Sequence, residues 1–162
     1  MKLAAPYHAA MLMAVLGGTL AVPALTPVAH AQDRKPPYWA SLDQDEARMR
    51  VGPGSQYPVS WVYRRRDLPV RVIATFPGWR KIEDPDGTQG WVAVRLLSAR
   101  LTAMVVGDMA QMRDAPRREA RVLYRAEPGV VGRVSDCANG WCAFDVRGQR
   151  GYVEVADIWG GK

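Results

Sequence analysis

The 162-residue chain has a formal net charge of +6, two cysteines and two histidines. Both histidines, His8 and His30, lie before residue 32, so the rest of the chain lacks the imidazole that Cys–His and Ser–His mechanisms use to carry a proton. Common zinc sites use at least one histidine or several cysteines. We therefore expect no catalytic residues of these kinds, no metal site and no cofactor.

The N-terminal segment has the pattern of a cleaved export signal. Lys2 precedes a mostly apolar run that leads to the small-residue site Ala29-His30-Ala31, which is typical of signal peptidase substrates. Glycines and prolines interrupt the run, so it contains no clean span of about 20 apolar residues that would cross a bilayer. We predict a signal peptide at residues 1–31, cleavage after Ala31 and a periplasmic or secreted protein with no stable membrane insertion.

The basic surplus of the remaining chain is mild and dispersed. Residues 32–162 hold 21 basic and 16 acidic side chains, a net charge of +5. The basic runs at 64–66 and 117–118 are each closed at once by an acidic residue. A nucleic-acid binder gathers its cations in a stripe with aromatic residues between them. We therefore expect no nucleic-acid partner, and a surplus suited to anionic wall polymers or phospholipid headgroups.

An internal repeat divides the chain. Residues 38–53 align without a gap on residues 101–116, which places Leu42 on Val105, Ala47 on Ala110, Met49 on Met112, Arg50 on Arg113 and Pro53 on Pro116. Gly78-Trp79 then matches Gly140-Trp141, and 90–92 matches 151–153. A period above 60 residues exceeds that of solenoid repeats, so each copy should be a small domain. We predict domains at residues 32–100 and 101–162.

Short strand signals separated by turns fill both copies. The first copy predicts strands at 70–75, 79–83 and 89–94, and the second repeats them at 130–137, 141–146 and 150–155. A single 3₁₀ turn is predicted at 95–97 and again at 156–158. No window shows a sustained helical stripe. The pattern predicts an all-β chain in which each copy is a small barrel.

These motifs resemble the bacterial SH3-like domain, and the pair resembles its tandem form in exported proteins. The resemblance rests on RVGPGSQYPV at residues 50–59, GW at 78–79 and GWV at 90–92. The second copy has Asp114-Ala115 in place of Val51-Gly52, and Tyr57-Pro58 has no obvious counterpart there. The resemblance implies two partly open barrels of five or six strands with a non-catalytic role, such as binding peptidoglycan or its peptide bridges.

The two cysteines predict a disulfide across a hairpin. Cys137 and Cys142 flank Asn139-Gly140, a pair that favours a type I′ turn. That turn would place Cys137 opposite Cys142 with Cα atoms about 4.5 Å apart, within disulfide range. A redox or metal role is the alternative, but the C-x₄-C spacing lacks the pattern of a thioredoxin-like motif.

Aromatic side chains in the first copy are the candidates for a ligand groove. We predict that this groove is formed by the following residues: Arg50, Tyr57, Trp61, Tyr63 and Trp79. Aromatic faces stack on sugars and pack against extended peptides. Trp91 and Tyr152, each directly after a glycine, are expected in the core instead.

The predicted function is binding of peptidoglycan or another envelope component, with the first domain carrying the groove and the second bracing it. One alternative is an adaptor for extended or Pro-rich peptides. A less favoured alternative is a carboxylate-dependent wall hydrolase using Glu83 or Asp86, which lie beside Asp84 at a turn. Asp-Pro-Asp-Gly is more simply explained as turn chemistry.

Overall fold

The computed structural model describes residues 34–161, so the predicted signal peptide and its cleavage site lie outside the described residues. The described part is built of fourteen β-strands: β1 (Tyr38–Leu42), β2 (Ala47–Arg50), β3 (Val59–Tyr63), β4 (Pro69–Phe76), β5 (Trp79–Glu83), β6 (Gln89–Ala93), β7 (Leu97–Ser98), β8 (Thr102–Val105), β9 (Ala110–Arg113), β10 (Val122–Ala126), β11 (Val131–Ala138), β12 (Trp141–Val146), β13 (Gln149–Glu154) and β14 (Ile158–Gly160). Within it, no helix has the length and apolar character needed to cross a membrane.

The strands form two antiparallel sheets with the same topology. The first has the order β3-β2-β6-β5-β4-β1-β7, and the second has the order β10-β9-β13-β12-β11-β8-β14. Each strand of the first sheet therefore has its counterpart seven strands later. The predicted duplication and the all-β tandem of SH3-like domains are confirmed, and each copy has seven strands rather than five or six. The count rises because the short β7 and β14 pair with β1 and β8.

Alternation along the strands builds one apolar core in each copy. In β5, Arg80 and Ile82 are buried while their neighbours are half-buried, as expected when successive side chains point to opposite faces. The larger members of the first core are Leu42, Met49, Tyr63, Val70, Val72, Ile82 and Val92. Those of the second are Val105, Met112, Val134, Cys142, Phe144, Val153 and Ile158.

The predicted strand positions agree with the structure to within one residue at each end. The 3₁₀ turns lie at Val94–Leu96 and Val155–Asp157, one residue before the predicted positions. In both copies the backbone N–H at the start of this turn, from Val94 or Val155, donates to the carbonyl of the glycine in the β4–β5 or β11–β12 turn.

The β11–β12 hairpin carries the predicted disulfide. Ala138 pairs with Trp141, and Asn139 and Gly140 both have positive φ, as a type I′ turn requires. Cys137 and Cys142 are bonded, with Cα atoms 4.0 Å apart. Cys142 is fully buried and joins the second core. The disulfide therefore anchors the hairpin to that core.

The expected core positions of Trp91 and Tyr152 are wrong. Gly90 is buried and Gly151 half-buried, and at each a Cβ would meet the side chain of Met49 or Met112 on the neighbouring strand. The glycines therefore take the inward positions that bring β6 against β2 and β13 against β9. The following aromatic residues point outward and are half-buried.

The two copies are in contact. The contacts that join them include an edge-to-face pair of Trp39 and Trp159 with ring centroids 4.6 Å apart, a hydrogen bond of 2.6 Å from Arg65 Nη2 to the Gly129 carbonyl, and one of 2.7 Å from the Thr102 hydroxyl to the Asp67 carbonyl. Met104 and Val131 of the second copy also pack against the first core.

Candidate functional site

The loop between β2 and β3 brings two predicted groove residues together. Arg50 Nη1 donates a 2.6 Å hydrogen bond to the carbonyl of Tyr57, and the Val51 N–H donates to the Pro58 carbonyl at 3.1 Å. The Tyr57 ring lies over Gly52, where an added Cβ would come within 2.5 Å of the ring. Arg50 therefore holds the loop that presents Tyr57, whose side chain is 40% exposed.

The second copy reproduces this loop with smaller side chains. Arg113 Nη1 donates to the Ala120 carbonyl at 2.7 Å, and the Asp114 N–H donates to the Arg121 carbonyl at 3.0 Å. Ala120 is thus the counterpart of Tyr57. Comparison of the two repeats in sequence does not reveal this match, because the two residues share only the backbone carbonyl that accepts the arginine hydrogen bond. The missing ring explains why Ala115 replaces Gly52.

Trp61 lies on the edge strand β3 and is the most exposed aromatic residue described in the chain, at 56%. It shares a strand face with Tyr63, which is two residues away and buried. Trp61 pairs with Met49, just as Tyr124 pairs with Met112 in the second copy, and Tyr124 is 39% exposed. The edge strand of each sheet therefore carries an exposed aromatic side chain opposite a core methionine.

Tyr63 belongs to the core of the first copy rather than to its surface. Its side chain is 6% exposed, and its hydroxyl donates a 2.9 Å hydrogen bond to Asp84 Oδ2. Burial raises the pKa of Tyr63, and the neighbouring Asp84 raises it further. Because Tyr63 is buried, only the other four predicted groove residues remain candidates for a ligand surface.

Trp79 lies away from the other predicted groove residues. It begins β5, and β6 and β2 separate that strand from β3 in the sheet. It alternates with the buried Arg80, so its side chain is on the outer face, whereas Trp61 is on the inner face of β3. The structure brings Arg50 and Tyr57 together, but it does not bring Trp61 and Trp79 onto one face.

The carboxylate of Asp84 closes the Asp-Pro-Asp-Gly turn. Asp84 Oδ1 accepts hydrogen bonds from the N–H groups of Asp86 and Thr88, at 3.1 and 2.8 Å, in addition to the Tyr63 bond on Oδ2. Glu83 pairs with Arg71 at 2.8 Å and accepts a bond from Gln89. These contacts give Glu83 a structural role in β5 and Asp84 a structural role in the turn.

Two cavities lie elsewhere, on the second copy and between the copies. One of about 640 Å³ covers the outer face of the second sheet, with Tyr152 and Ala143 in its lining. The other, of about 670 Å³, lies between the β3–β4 loop and the second sheet and includes Arg65 and Arg147. Neither contains a predicted groove residue. In the sequence, the cavity over the second sheet is indicated by Ala143, a small residue at the position where the first copy has Lys81.

A known protein family matches both copies of the repeat. The sequence model of the bacterial SH3 domain matches residues 43–99 and again residues 106–160. No curated protein sequence matches the chain.

Similar solved structures include three proteins of the NlpC/P60 and autolysin type. They are NlpC2 from Trichomonas vaginalis (13% identity, 78% of this chain, 49% of that chain, TM-score 0.35), an NlpC/P60 family protein from Bacillus cereus ATCC 10987 (12%, 76%, 56%, 0.34) and a putative autolysin from Listeria monocytogenes (12%, 78%, 64%, 0.32). The chain spans about half of the first and less than two thirds of the others.

Proposed function

We propose, from the premise that this chain belongs to the bacterial SH3 domain family, that it is a non-catalytic exported protein that binds peptidoglycan or another component of the cell envelope. The family suggests cell-wall binding in general. The disulfide between Cys137 and Cys142 fits an oxidising compartment outside the cytoplasm. The predicted domain limits, 32–100 and 101–162, remain part of this proposal, and β7 ends at Ser98 while β8 begins at Thr102.

The observation that carries the proposal is the exposure of Trp61 on the edge strand β3 of the first sheet. A tryptophan that is 56% exposed loses apolar contact with water when a sugar ring or peptide covers it. Tyr57 adds a second exposed ring, fixed over Gly52 by the loop that Arg50 closes. We place the contact surface at Tyr57 and Trp61, with Arg50 in a positioning role.

A pull-down with purified sacculi tests this assignment. Trp61→Ala is expected to lower retention by up to about tenfold, because an aromatic contact contributes about 0.5–1.5 kcal/mol beyond the area it buries. Trp79→Ala is the matched control, since it removes the same side chain from the other face of the sheet. Equal retention of wild type and Trp61→Ala would contradict the assignment, and so would an equal loss in both variants.

The edge of the first sheet supports a second candidate, an adaptor for extended peptides. β3 pairs with β2 alone and its first four residues are exposed, so a peptide strand can add to its free side. Capture of a defined envelope protein, with no retention on sacculi, would favour this adaptor over the wall-binding role.

A further inference from the structure

The two cavities adjoin, one over the second copy and the other at the interface between the copies, and we call the pair the cleft. Both are lined by Arg133, Asp145 and Arg150, which lie side by side on β11, β12 and β13. The part over the outer sheet face is rimmed by Leu101 and Leu123, each 37% exposed. The cleft is therefore partly apolar and built by both copies.

The cleft exists because the second copy has small residues where the first has large ones. Across the first sheet, Lys81 pairs with Trp91, and the Phe76 ring meets that of Trp91 edge to face at 6.4 Å. Across the second sheet, the corresponding pair is Ala143 and Tyr152. Ala138, beside the β11–β12 turn, takes the place of Phe76. The same face is filled in the first copy and open in the second.

Arginines dominate the charge of the cleft. Seven arginines and three aspartates line it, a net charge of +4, whereas residues 34–161 as a whole have 20 basic and 15 acidic side chains, or +5. The surplus that looks dispersed along the sequence is therefore gathered at one surface. A cleft with low-dielectric walls concentrates such a field and attracts anions.

The side chains of two of these arginines make no hydrogen bond or ion pair within the described residues. They are those of Arg133, whose charge helps to lower the pKa of Asp145, and Arg147, whereas Arg150 pairs with Asp145 at 2.9 Å and Arg65 is held by the Gly129 carbonyl. An arginine fork binds a carboxylate or phosphate through two parallel hydrogen bonds. Arg133 and Arg147 are thus available to an anionic ligand without the loss of a side-chain hydrogen bond or ion pair.

We propose that this cleft binds an acidic carbohydrate polymer, with a sugar ring on Tyr152 and its anionic groups paired with Arg133 and Arg147. The floor is the outer face of a sheet whose backbone groups are paired with neighbouring strands, so it offers a peptide no strand to extend. It offers a sugar an aromatic face and the apolar rims instead. Either a carboxylate or a phosphate group on the sugar can pair with these arginines.

Titration with defined polymers tests the ligand class. Polygalacturonate supplies carboxylates on sugars, phosphorylated dextran supplies phosphates, plain dextran removes the charge and poly-L-glutamate removes the sugar. We expect at least one anionic glycan to bind about tenfold more tightly than poly-L-glutamate, with affinity falling as salt rises. No binding of either anionic glycan would overturn the proposal, as would equal binding of poly-L-glutamate. The better of the two glycans identifies the anionic group.

Variants in the cleft test the site itself. Arg133→Gln combined with Arg147→Asn removes two charges without breaking a side-chain hydrogen bond or ion pair, and Asn tolerates the positive φ of 53° at position 147. It is expected to lower affinity about tenfold, as charge-assisted hydrogen bonds are lost. Arg117→Gln with Arg125→Gln is the matched control, because both side chains are exposed and outside the cleft. An equal loss in both pairs would show attraction to net charge only and overturn the site.

A second variant keeps every charge and changes only the shape. Ala143→Ile fills the floor beside Tyr152 with a residue that favours strands, and melting temperature checks that the fold is kept. Weaker glycan binding is expected, and unchanged binding would contradict a ligand on this face. Because the probes are soluble and the variants leave Trp61 intact, failure here is distinguishable from failure of the sacculus test.

Discussion

At the scale of single residues, the exchange of Gly52 and Tyr57 for Ala115 and Ala120 shows how a loop is kept while its surface changes. Both loops are closed by the same arginine-to-carbonyl bond, from Arg50 in one copy and from Arg113 in the other. A ring packed on the backbone requires glycine beneath it, whereas a methyl group does not. The aromatic ring is therefore an addition to a loop that is stable without it.

We predict that Gly52→Ala destabilises the protein by about 1–2 kcal/mol, because the new Cβ displaces the Tyr57 ring. In a Tyr57→Ala background the same change should cost much less, which a double-mutant cycle of denaturant unfolding measures. Additive effects of the two changes would contradict the packing. Ala115→Gly in the second copy serves as the control and should cost only about 0.5–1 kcal/mol, from backbone entropy.

Two acidic residues near the end of the chain should respond to pH with opposite signs. Burial raises the pKa of Asp157, with a further contribution from Glu154, so its charged form opposes folding as pH rises through the folded pKa. The hydrogen bond from Arg118 lowers the pKa of Glu154, so its stabilising effect is lost as pH falls through the folded pKa.

Asp157→Asn is accordingly expected to raise the melting temperature slightly at pH 7 and to leave it unchanged at pH 3, where the native carboxyl is already protonated. Glu154→Gln should lower it at pH 7, because the bond with Arg118 is weakened. Thermal unfolding at the two pH values measures both. A rise for Glu154→Gln at pH 7 would refute the assigned sign.

At the scale of elements, the close approach of β6 to β2, which we call the crossing, depends on Gly90, because this residue has no side chain. A Cβ at Gly90 would come within 2.5 Å of Met49 Cγ and 2.9 Å of the Arg50 carbonyl. At Gly151, on β13, the nearest atoms are 3.0 Å away. The first copy is therefore packed more tightly at this crossing than the second.

Gly90→Ala should cost about 3 kcal/mol, in the range for overpacking a filled core, and Gly151→Ala nearer 1 kcal/mol. Denaturant unfolding of the two variants gives the comparison directly, with Gly151→Ala as the matched control. Equal costs would mean that Met49 moves aside and that the crossing is not rigid.

At the scale of the whole molecule, the two copies act together because they share an interface. Trp39 and Trp159 meet edge to face, and residues of the second copy pack on the first core. A 60-residue domain buries only about 60% of the surface that its unfolded chain exposes and is marginally stable alone, so each copy gains stability from the other. The same contacts fix the walls of the cleft between the copies.

We predict that Trp39→Ala uncouples the copies and gives two calorimetric transitions in place of one, with a loss of about 1–3 kcal/mol from the pair and its buried area. Trp61→Ala, which removes an exposed ring, should leave one transition. A single transition in Trp39→Ala would show that the remaining contacts suffice for cooperative unfolding.

The sequence by itself determined the repeat, the strands, the turns and the disulfide. These follow from local spacing: alternation sets the strands, Asn139-Gly140 sets the turn, and that turn sets which cysteines face each other. The SH3-like fold followed from the order of such motifs in two copies.

Only the tertiary structure decided which side chains are accessible. Tyr63 and Trp61 differ by two positions in one strand, yet Tyr63 is buried, where its hydroxyl meets the distant Asp84, and Trp61 is exposed at the edge of the sheet. Likewise Arg65 and Arg147, far apart in sequence, line one cleft because the copies pack together. Burial and clustered charge depend on long-range contacts, which the spacing of residues along a strand does not specify.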